Sequence, residues 1–278
     1  MSRLSPEAIA VAYRACCLAE LDALKPGNVH VFGDGHRMAV ADFVTSAEVS
    51  ASHLAEPGAR VGRRVRTAME ATLGAVGQNT NLGILLLCAP LALAAERGGP
   101  LRGALSHVLD TLNAADATDV FAAIRAANPG GLGKAERHDV TGPEAPASLL
   151  AAMAEAAPRD RIARAYVTGF ADIFGIGIPA LAEARGKGLT PPWSTTALFL
   201  GYLAAVSDSH VARKHGVERA DALRMEAREL LSLDLATRPV AELLARDHSW
   251  KAQNLNPGTS ADMTVATLFA DRLLAAGT

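Results

Sequence analysis

The run LGILLLCAPLALAA, residues 82–95, constrains the fold more than any other segment of the chain. It contains no charged residue, so a helix built from it needs apolar neighbours on every side. The run is shorter than the roughly 20 residues that a membrane-spanning helix requires, and it contains Pro90. We therefore predict a helix buried at the centre of a helical protein, with no membrane span.

The rest of the chain supplies the apolar residues that would surround such a helix. Half of the 278 residues are hydrophobic and only 4% are aromatic, and the abundant Ala and Leu favour helices over strands. Gly and Pro separate the helix-like segments, and no linker is long enough to divide two domains. The sequence predicts an all-α fold, a compact multi-helix bundle with buried central helices that forms a single domain over residues 1–278.

Charge and cysteine content narrow the class of function. The formal net charge is −2, so no global basic field would attract nucleic acid. The three cysteines, Cys16, Cys17 and Cys88, are an odd number in apolar helical context. This pattern fits neither a disulfide framework nor a zinc site, and it indicates a reducing cytoplasm.

The N-terminal residues have the pattern of a helix start rather than of a signal peptide. Ser5 is placed to act as the N-cap, Pro6 stands at the first helical position, and Glu7 lies in the first turn. We expect a cytoplasmic protein, and the surplus of apolar residues allows a homodimer.

A cluster of polar residues follows the first apolar helix at KPGNVH, residues 25–30. The Pro-Gly turn brings Lys25, Asn28 and His30 together just beyond Glu20, which lies on the helix. A carboxylate that is buried without a partner is unfavourable, so a buried Glu20 would have to pair, bind a metal or change its pKa. The alternative is a surface glutamate followed by a lysine that the helix dipole favours.

The segment GQNTNLG, residues 77–83, directly precedes the apolar run. The free backbone N–H groups of a helix's first turn, at the positive end of its dipole, form a ready anion site. Thr80 or Asn81 could instead act as a simple N-cap. The two roles are compatible, because a capping loop can also face a phosphate.

Two more polar segments occur within apolar context near the end of the chain. In SDSHVARKHG, residues 207–216, Asp208 and His210 precede two cations, although Asp208 could also serve only as a cap or structural ion-pair partner. In NPGTSADM, residues 256–263, a second Pro-Gly turn marks a helix junction, as in KPGNVH. Asp262 follows in the first turn, where an acid ordinarily stabilises the helix dipole.

Other common active-site signatures are missing from the sequence. It has no P-loop, no GxSxG nucleophile elbow and no HExxH pair, and its eight histidines show no zinc-ligand spacing.

The polar segments, in this order, resemble the motifs of the triphosphoribosyl-dephospho-CoA synthase family. The resemblance is carried by KPGNVH, NTNLGILLLCAPL (79–91), SDSHVARKHG and NPGTSADMTVATLF (256–269), and it is extended by PGGLG (129–133), HDV (138–140) and DRIARAYVTGFADIF (160–174). It implies an all-α enzyme that joins the ribose of ATP to a hydroxyl of 3′-dephospho-CoA and releases adenine. The product of this family is the precursor of the prosthetic group on the acyl carrier subunits of citrate lyase and malonate decarboxylase.

The resemblance and the residue chemistry together suggest roles for particular side chains. Mg²⁺, arriving with ATP as substrate, would bind Glu20, Asp208 and Asp262, because it prefers carboxylate oxygens. The predicted catalytic residues are these three acids and His30, which would act as the acid for the departing base. The predicted nucleotide- and phosphate-binding residues are Lys25, Gly27, Asn28, Asn79, Thr80, Asn81, Gly83, Arg213, Lys214, Pro257, Gly258, Thr259 and Ser260. We expect the acids, Lys25 and the amides near Asn81 to converge on one cavity.

Three segments depart from the pattern usual in the citrate-lyase-type members, which read KPGLVD, HxDM and NTHKG. Here these places hold KPGNVH, GDGHRM and NTNLG, so Asp34 is the nearest acid to that of HxDM, and Leu82 replaces a lysine. The variants resemble a branch from archaea and methylotrophic bacteria, whose gene context suggests synthesis of a methanopterin- or methanofuran-type C1 carrier. Two alternatives stay open: an enzyme that uses the same nucleotide pocket with a different acceptor, and a non-catalytic helical nucleotide-binding or assembly protein.

Overall fold

The computed structural model describes residues 2–128 and 148–276, and within these ranges the chain forms α-helices and no strand. The prediction of an all-α fold is thereby confirmed. The PGGLG and HDV segments lie outside the described residues. In the described ranges no individual helix has the length and apolarity to cross a membrane, although the helices Leu82–Arg97 and Leu101–Asp110, bent by 114°, would together pass such a test on length and composition.

Fourteen α-helices follow one another in the described ranges. Their bounds are α1 Pro6–Leu21, α2 Val40–Leu54, α3 Val61–Val76, α4 Leu82–Arg97, α5 Leu101–Asp110, α6 Ala114–Ala127, α7 Leu149–Ala156, α8 Arg161–Val167, α9 Ile178–Gly186, α10 Trp193–Ala205, α11 Ser209–His215, α12 Val217–Leu231, α13 Val240–Ala252 and α14 Gly258–Ala276. A π-helical turn, Ile173–Gly177, precedes α9, and a 3₁₀ turn, Leu235–Thr237, precedes α13. Ser5 caps α1 as predicted, because its Oγ accepts the N–H of Ala8 at 3.2 Å.

Helix α4 is the central helix that the run 82–95 predicted. Leu85, Leu87 and Ala89 have no exposed surface, and α1, α3, α5 and α14 pack around the helix. Pro90 lies within α4 without ending it. The removal of so many apolar side chains from water is the main force that assembles this part of the fold.

The core consists of two clusters of buried side chains, and the two Pro-Gly turns lie where these clusters meet. The larger cluster surrounds α4, and the smaller one lies among α10, α12 and α13 around Trp250. The segments containing the two turns contact each other directly: Gly27, at φ +81°, packs against Pro257 so closely that a Cβ would lie 3.0 Å from the proline Cδ. Glycine is required at position 27 because other residues rarely adopt this backbone conformation.

Asp208 joins the beginnings of α11 and α14. Its Oδ1 accepts the N–H groups of His210 and Val211 at 2.9 and 3.1 Å. Its Oδ2 accepts both the N–H and the O–H of Ser260, each at 2.8 Å. One buried carboxylate therefore caps two helices and fixes their relative position.

Replacing this double cap should destabilise the protein. We expect Asp208→Ala to lower the free energy of unfolding by about 3 kcal/mol, because it removes two caps and leaves buried N–H groups unpaired. Urea unfolding followed by circular dichroism measures the change.

Asp234→Ala is the matched control for this measurement. The exposed Asp234 accepts the N–H of Ala236 at the 3₁₀ turn, and its loss should cost no more than about 1 kcal/mol. Equal stability of the two variants would show that Asp208 does not hold the helices together.

Candidate active site

A cavity of about 670 Å³ lies where the loop after α1, the start of α4, the ends of α6 and α7, α11 and the start of α14 meet. Its volume is typical of sites for small ligands, which occupy about 300–1,000 Å³. Most of the predicted nucleotide-binding residues and two predicted catalytic acids contribute to its wall: Glu20, Asn28, Asn79, Thr80, Asn81, Gly83, Arg213, Lys214, Gly258, Thr259 and Asp262. Apolar side chains, among them Leu73, Leu86, Phe121, Ile124 and Met153, cover other parts of the wall.

Six of the predicted site residues are not part of the cavity wall: Lys25, Gly27, His30, Asp208, Pro257 and Ser260. All six lie close to it along the chain, and each makes contacts that support the wall. Their functional roles stay predictions, and the contacts that they make are described below.

Lys25 lies behind the cavity wall and makes its contacts within the protein. Its side chain is fully buried, and its ammonium donates to the Glu20 carboxylate, to Asn28 Oδ1 at 2.9 Å and to the carbonyl of Val29 at 2.8 Å. These bonds use all three hydrogens of the ammonium. Burial lowers the pKa of Lys25, and the Glu20 carboxylate opposes this effect. Lys25 thus orients two residues that do face the cavity.

His30 supports the same loop and does not reach the cavity. Its buried Nε2 lies 3.3 Å from Asp247 Oδ1, and its Nδ1 accepts the N–H of Phe32 at 3.2 Å. The Asp247 carboxylate also accepts the N–H of Gly27 at 2.8 Å. The role of His30 as an acid for a departing base stays a prediction, and the structure places the ring outside the cavity wall, beside Asp247.

Asp208, which was predicted as a catalytic acid and as a metal ligand, also lies behind the wall. Its two oxygens already accept four hydrogen bonds from α11 and α14, which leaves no free lone pair of suitable geometry. Ser260 is one of the donors, through both its N–H and its O–H. Gly27 and Pro257 contact each other and form the junction behind the wall.

Asp262 is the acid that faces the cavity without a protein partner. Within the described ranges its carboxylate makes no hydrogen bond or ion pair. Burial raises its pKa well above the ordinary value, and the nearby carboxylates of Asp208 and Glu20 add to this effect. The carboxylate lies against Gly83 in the first turn of α4, where any Cβ would overlap with Asp262 Oδ2. The absence of a side chain at Gly83 thus makes room for this acid.

The loop before α4 is held by polar side chains that also line the cavity. Asn79 caps the helix, since its Oδ1 accepts the N–H of Leu82 at 3.1 Å. Thr80 bonds to Ser46 Oγ at 2.6 Å, and Asn81 donates to Thr72 Oγ1 at 3.1 Å. Capping by Thr80 or Asn81, one of the predicted alternatives, does not occur. The remaining N–H groups of the first turn lie at the positive end of the helix dipole.

Cations line the part of the cavity next to α11. Arg213 donates to Asp160 Oδ2 at 2.6 Å, and Asp160 in turn caps α8. Lys214 forms no ion pair within the described ranges, and burial followed by the charge of Arg213 lowers its pKa. Arg159 also lines the wall. This surface would attract an anionic ligand.

Several residues in the wall were not predicted as site residues, among them His36, His210 and Arg159. His210 lies inside the SDSHVARKHG segment, so its position among predicted site residues could have been used to predict that it lines the cavity. Burial, followed by the charges of Lys214 and Arg213, lowers the pKa of His210 to about 3. The imidazole is therefore neutral near pH 7. His36 is held by Gly27, whose carbonyl lies 2.8 Å from its Nε2.

The three acids that were predicted to hold a metal do not all line the cavity. Residues 2–128 and 148–276 contain no group of three or more His, Cys, Asp or Glu side chains arranged to hold a metal ion. The physical reason is the double cap: Asp208 faces the helix N-termini, whereas Glu20 and Asp262 face the cavity.

Comparison with known proteins gives short matches to two named relatives. A 2-(5″-triphosphoribosyl)-3′-dephosphocoenzyme-A synthase from Klebsiella pneumoniae is 31% identical over 107 residues, which is 38% of this chain and 38% of that protein. A protein from Albidiferax ferrireducens that is provisionally assigned the same name is 31% identical over 108 residues, 38% of this chain and 36% of its own length. The chain thus aligns with well under half the length of these relatives.

Two further comparisons cover most of the chain. The crystal structure of a candidate triphosphoribosyl-dephospho-CoA synthase from Archaeoglobus fulgidus superposes with a TM-score of 0.64, covers 84% of this chain and 97% of its own, and is 22% identical, which shows a shared fold. The family model of CitG, ATP:dephospho-CoA triphosphoribosyl transferase, matches residues 6–277. Since this match extends over nearly the whole sequence, the chain belongs to the ATP:dephospho-CoA triphosphoribosyl transferase family.

Proposed function

We propose that the protein transfers the triphosphoribosyl group of ATP to a hydroxyl of 3′-dephospho-CoA, forming 2′-(5″-triphosphoribosyl)-3′-dephospho-CoA and releasing adenine. The observation that carries this proposal is a single cavity in which an unpaired acid, Asp262, faces the same space as Arg213 and Lys214. Cations attract a polyphosphate, and a carboxylate can stabilise the positive charge that develops on a ribose during substitution, so the pair of features suits this reaction.

The triphosphate would bind along α11 and the start of α4. Arg213 and Lys214 supply positive charge, and the first-turn N–H groups of α4 supply backbone donors. Arg159 adds a third cation at the wall. The Asp160 carboxylate holds Arg213 in place through one of its terminal nitrogens, so the guanidinium is oriented before the ligand arrives.

The acid would act at the ribose. The bond from the anomeric carbon to the adenine nitrogen breaks, and adenine leaves with the electron pair and takes up one proton, which balances the proton that the acceptor hydroxyl loses. The acceptor oxygen forms the new bond to the same carbon and loses its proton. Asp262 is suited to stabilise the positive charge that develops on the sugar, or to accept that proton. Water exclusion by Leu86, Phe121 and other apolar wall residues would favour transfer over hydrolysis.

Mg²⁺ is proposed to bind with ATP, and the donors at the cavity fit it. The ion commonly takes one or two protein carboxylates, and substrate phosphates and water complete its shell. Asp262 has no partner among the described residues, and Glu20 lines the cavity while Lys25 holds one of its oxygens. These two acids would hold the ion, and Asp208 would not. Bound there, Mg²⁺ would neutralise part of the triphosphate charge.

Adenine release is the direct test of the proposed reaction. Incubation of the protein with Mg-ATP and 3′-dephospho-CoA should release adenine and form the triphosphoribosyl product in equal amounts, as measured by liquid chromatography with mass spectrometry. Omission of the acceptor should abolish adenine release. Binding of ATP without adenine release in the complete mixture would contradict the proposal.

A second candidate keeps the nucleotide site but uses another hydroxyl acceptor, as in the C1-carrier branch. Two observations favour it. Leu82, where the citrate-lyase-type pattern has lysine, contributes an apolar side chain to the cavity wall. Asp34, the nearest acid to that of HxDM, lies outside the wall, and its Oδ1 accepts the N–H of Val40 at 2.9 Å.

Adenine release with a different acceptor, and none with 3′-dephospho-CoA, would favour this function. Absence of ATP binding in calorimetry would favour a non-catalytic assembly role.

Replacement of the Asp262 carboxyl group by an amide should impair catalysis. We expect Asp262→Asn to lower kcat by about 100-fold or more, because an amide neither accepts a proton nor stabilises a developing cation. Asp271→Asn is the control on the same helix, where Asp271 pairs with Arg185 at the surface, and it should leave kcat unchanged. Equal activity of the two variants would exclude Asp262 from the reaction.

The fit between Gly83 and Asp262 can be tested separately. Gly83→Ala should displace the carboxylate, and a misplacement of about 1 Å can lower the rate by about 100-fold. Gly74→Ala is the control, since this exposed helical glycine has no neighbour within 4 Å of an added Cβ. It should stabilise α3 slightly and leave activity unchanged. Thermal unfolding would confirm that both variants fold, and full activity of Gly83→Ala would show that the contact is unimportant.

A further inference from the structure

Three of the buried polar atoms that lack a hydrogen-bond partner belong to residues of the cavity wall. They are Asn81 Oδ1, His210 Nε2 and Arg213 Nε, within the described ranges. A buried polar atom without a partner is unfavourable, and native proteins retain few of them. Two of the three atoms lie on the short helix α11, so this helix is where a polar ligand would gain most from binding.

The structure holds the His210 residue firmly at this position. Its N–H donates to Asp208 Oδ1 at 2.9 Å and to Thr259 Oγ1 at 3.2 Å. Its ring lies against Gly258, where a Cβ would come within 2.9 Å of Nδ1. Two helices, α11 and α14, therefore fix the ring at the cavity wall, and the missing side chain at Gly258 makes room for it.

The surroundings of His210 indicate the kind of ligand that it would contact. Arg213 and Lys214 follow it on the same helix and line the same cavity. Their charges, with those of His36 and His215, disfavour a charged imidazole, so the ring has one N–H to donate and one lone pair to offer. Cations on the wall attract an anion, and an anion accepts hydrogen bonds from N–H groups.

We propose that His210 is a phosphate-binding residue, whose Nε2–H donates a hydrogen bond to a phosphate oxygen of the bound triphosphate beside Arg213 and Lys214. The inference rests on the proposed function only in requiring that the cavity bind a polyphosphate. With this contact, three residues of the SDSHVARKHG segment, His210, Arg213 and Lys214, would contact the ligand from one helix. It also assigns to His210 a contact with the nucleotide that neither Lys25 nor His30 can make from behind the wall.

Calorimetry with three probes separates the phosphate contact from a contact with the base. Tripolyphosphate, ATP and adenosine are titrated, each with Mg²⁺, into wild type, His210→Ala and His210→Gln. Loss of a hydrogen bond to a charged group should weaken binding of tripolyphosphate and of ATP in His210→Ala by about tenfold or more. The neutral amide of His210→Gln should restore part of that affinity, and adenosine binding should not change.

His215→Ala provides the matched control on the same helix. The Nε2 of His215 lies 3.0 Å from the carbonyl of Asn254, and the residue is outside the cavity wall. Its removal should leave the affinity for tripolyphosphate unchanged.

In the wild type, nitrogen NMR should show that tripolyphosphate shifts the Nε2 resonance of His210, a change that a purely structural histidine would not undergo.

The outcomes separate this inference from the proposed function. Unchanged affinity of His210→Ala for tripolyphosphate, a loss confined to adenosine, or no binding of tripolyphosphate to the wild type would each overturn it. Should His210→Ala fail to fold in thermal unfolding, His210→Gln and the NMR shift decide the question. Binding of tripolyphosphate through His210 without adenine release in the transfer assay would support this contact and reject the proposed reaction.

Discussion

The buried carboxylate of Asp208 is the interaction on which the candidate site depends. It accepts hydrogen bonds from the starts of α11 and α14 at once. Through this link, the helix that carries Arg213 and Lys214 is placed beside the helix that carries Asp262. The cations and the acid therefore face one cavity because a third group, which does not reach that cavity, sets the distance between their helices.

Lys25 plays a corresponding role on the opposite side. Its ammonium is buried and orients Glu20 and Asn28 toward the cavity. A lysine is costly to bury, and here hydrogen bonds to three acceptors offset that cost. Asp208 and Lys25 act in the same way. Each charged group makes its contacts within the protein and so positions a neighbouring charged or polar group, which remains available to a ligand. The resulting cavity has a cationic region along α11 and the acid Asp262, and both features suit the proposed transfer of a triphosphoribosyl group.

Much of the fold could be predicted from the sequence, and the site could be predicted as a set of segments. The absence of charge in residues 82–95 was sufficient to predict the central helix, since hydrophobic burial depends on composition and periodicity. The similarity of KPGNVH to NPGTSADM led to the prediction of a shared polar cavity, and the two turns do lie in contact. Individual roles could not be predicted in the same way. His30 and His210 both belong to polar motifs, but only the packing shows that His30 contacts Asp247 and that His210 lines the cavity.

The sequence by itself determined that the chain would be helical, that α4 would be central, and that four polar segments would gather around it. Local propensity and apolar patterning set these features, and both are properties of short stretches of residues. Only the tertiary structure decided which polar side chains face the ligand space. That choice depends on contacts between residues far apart in sequence, such as Asp208 with Ser260 and Gly83 with Asp262. The direction of a side chain in such a contact follows from the packing of whole helices, which no single segment encodes.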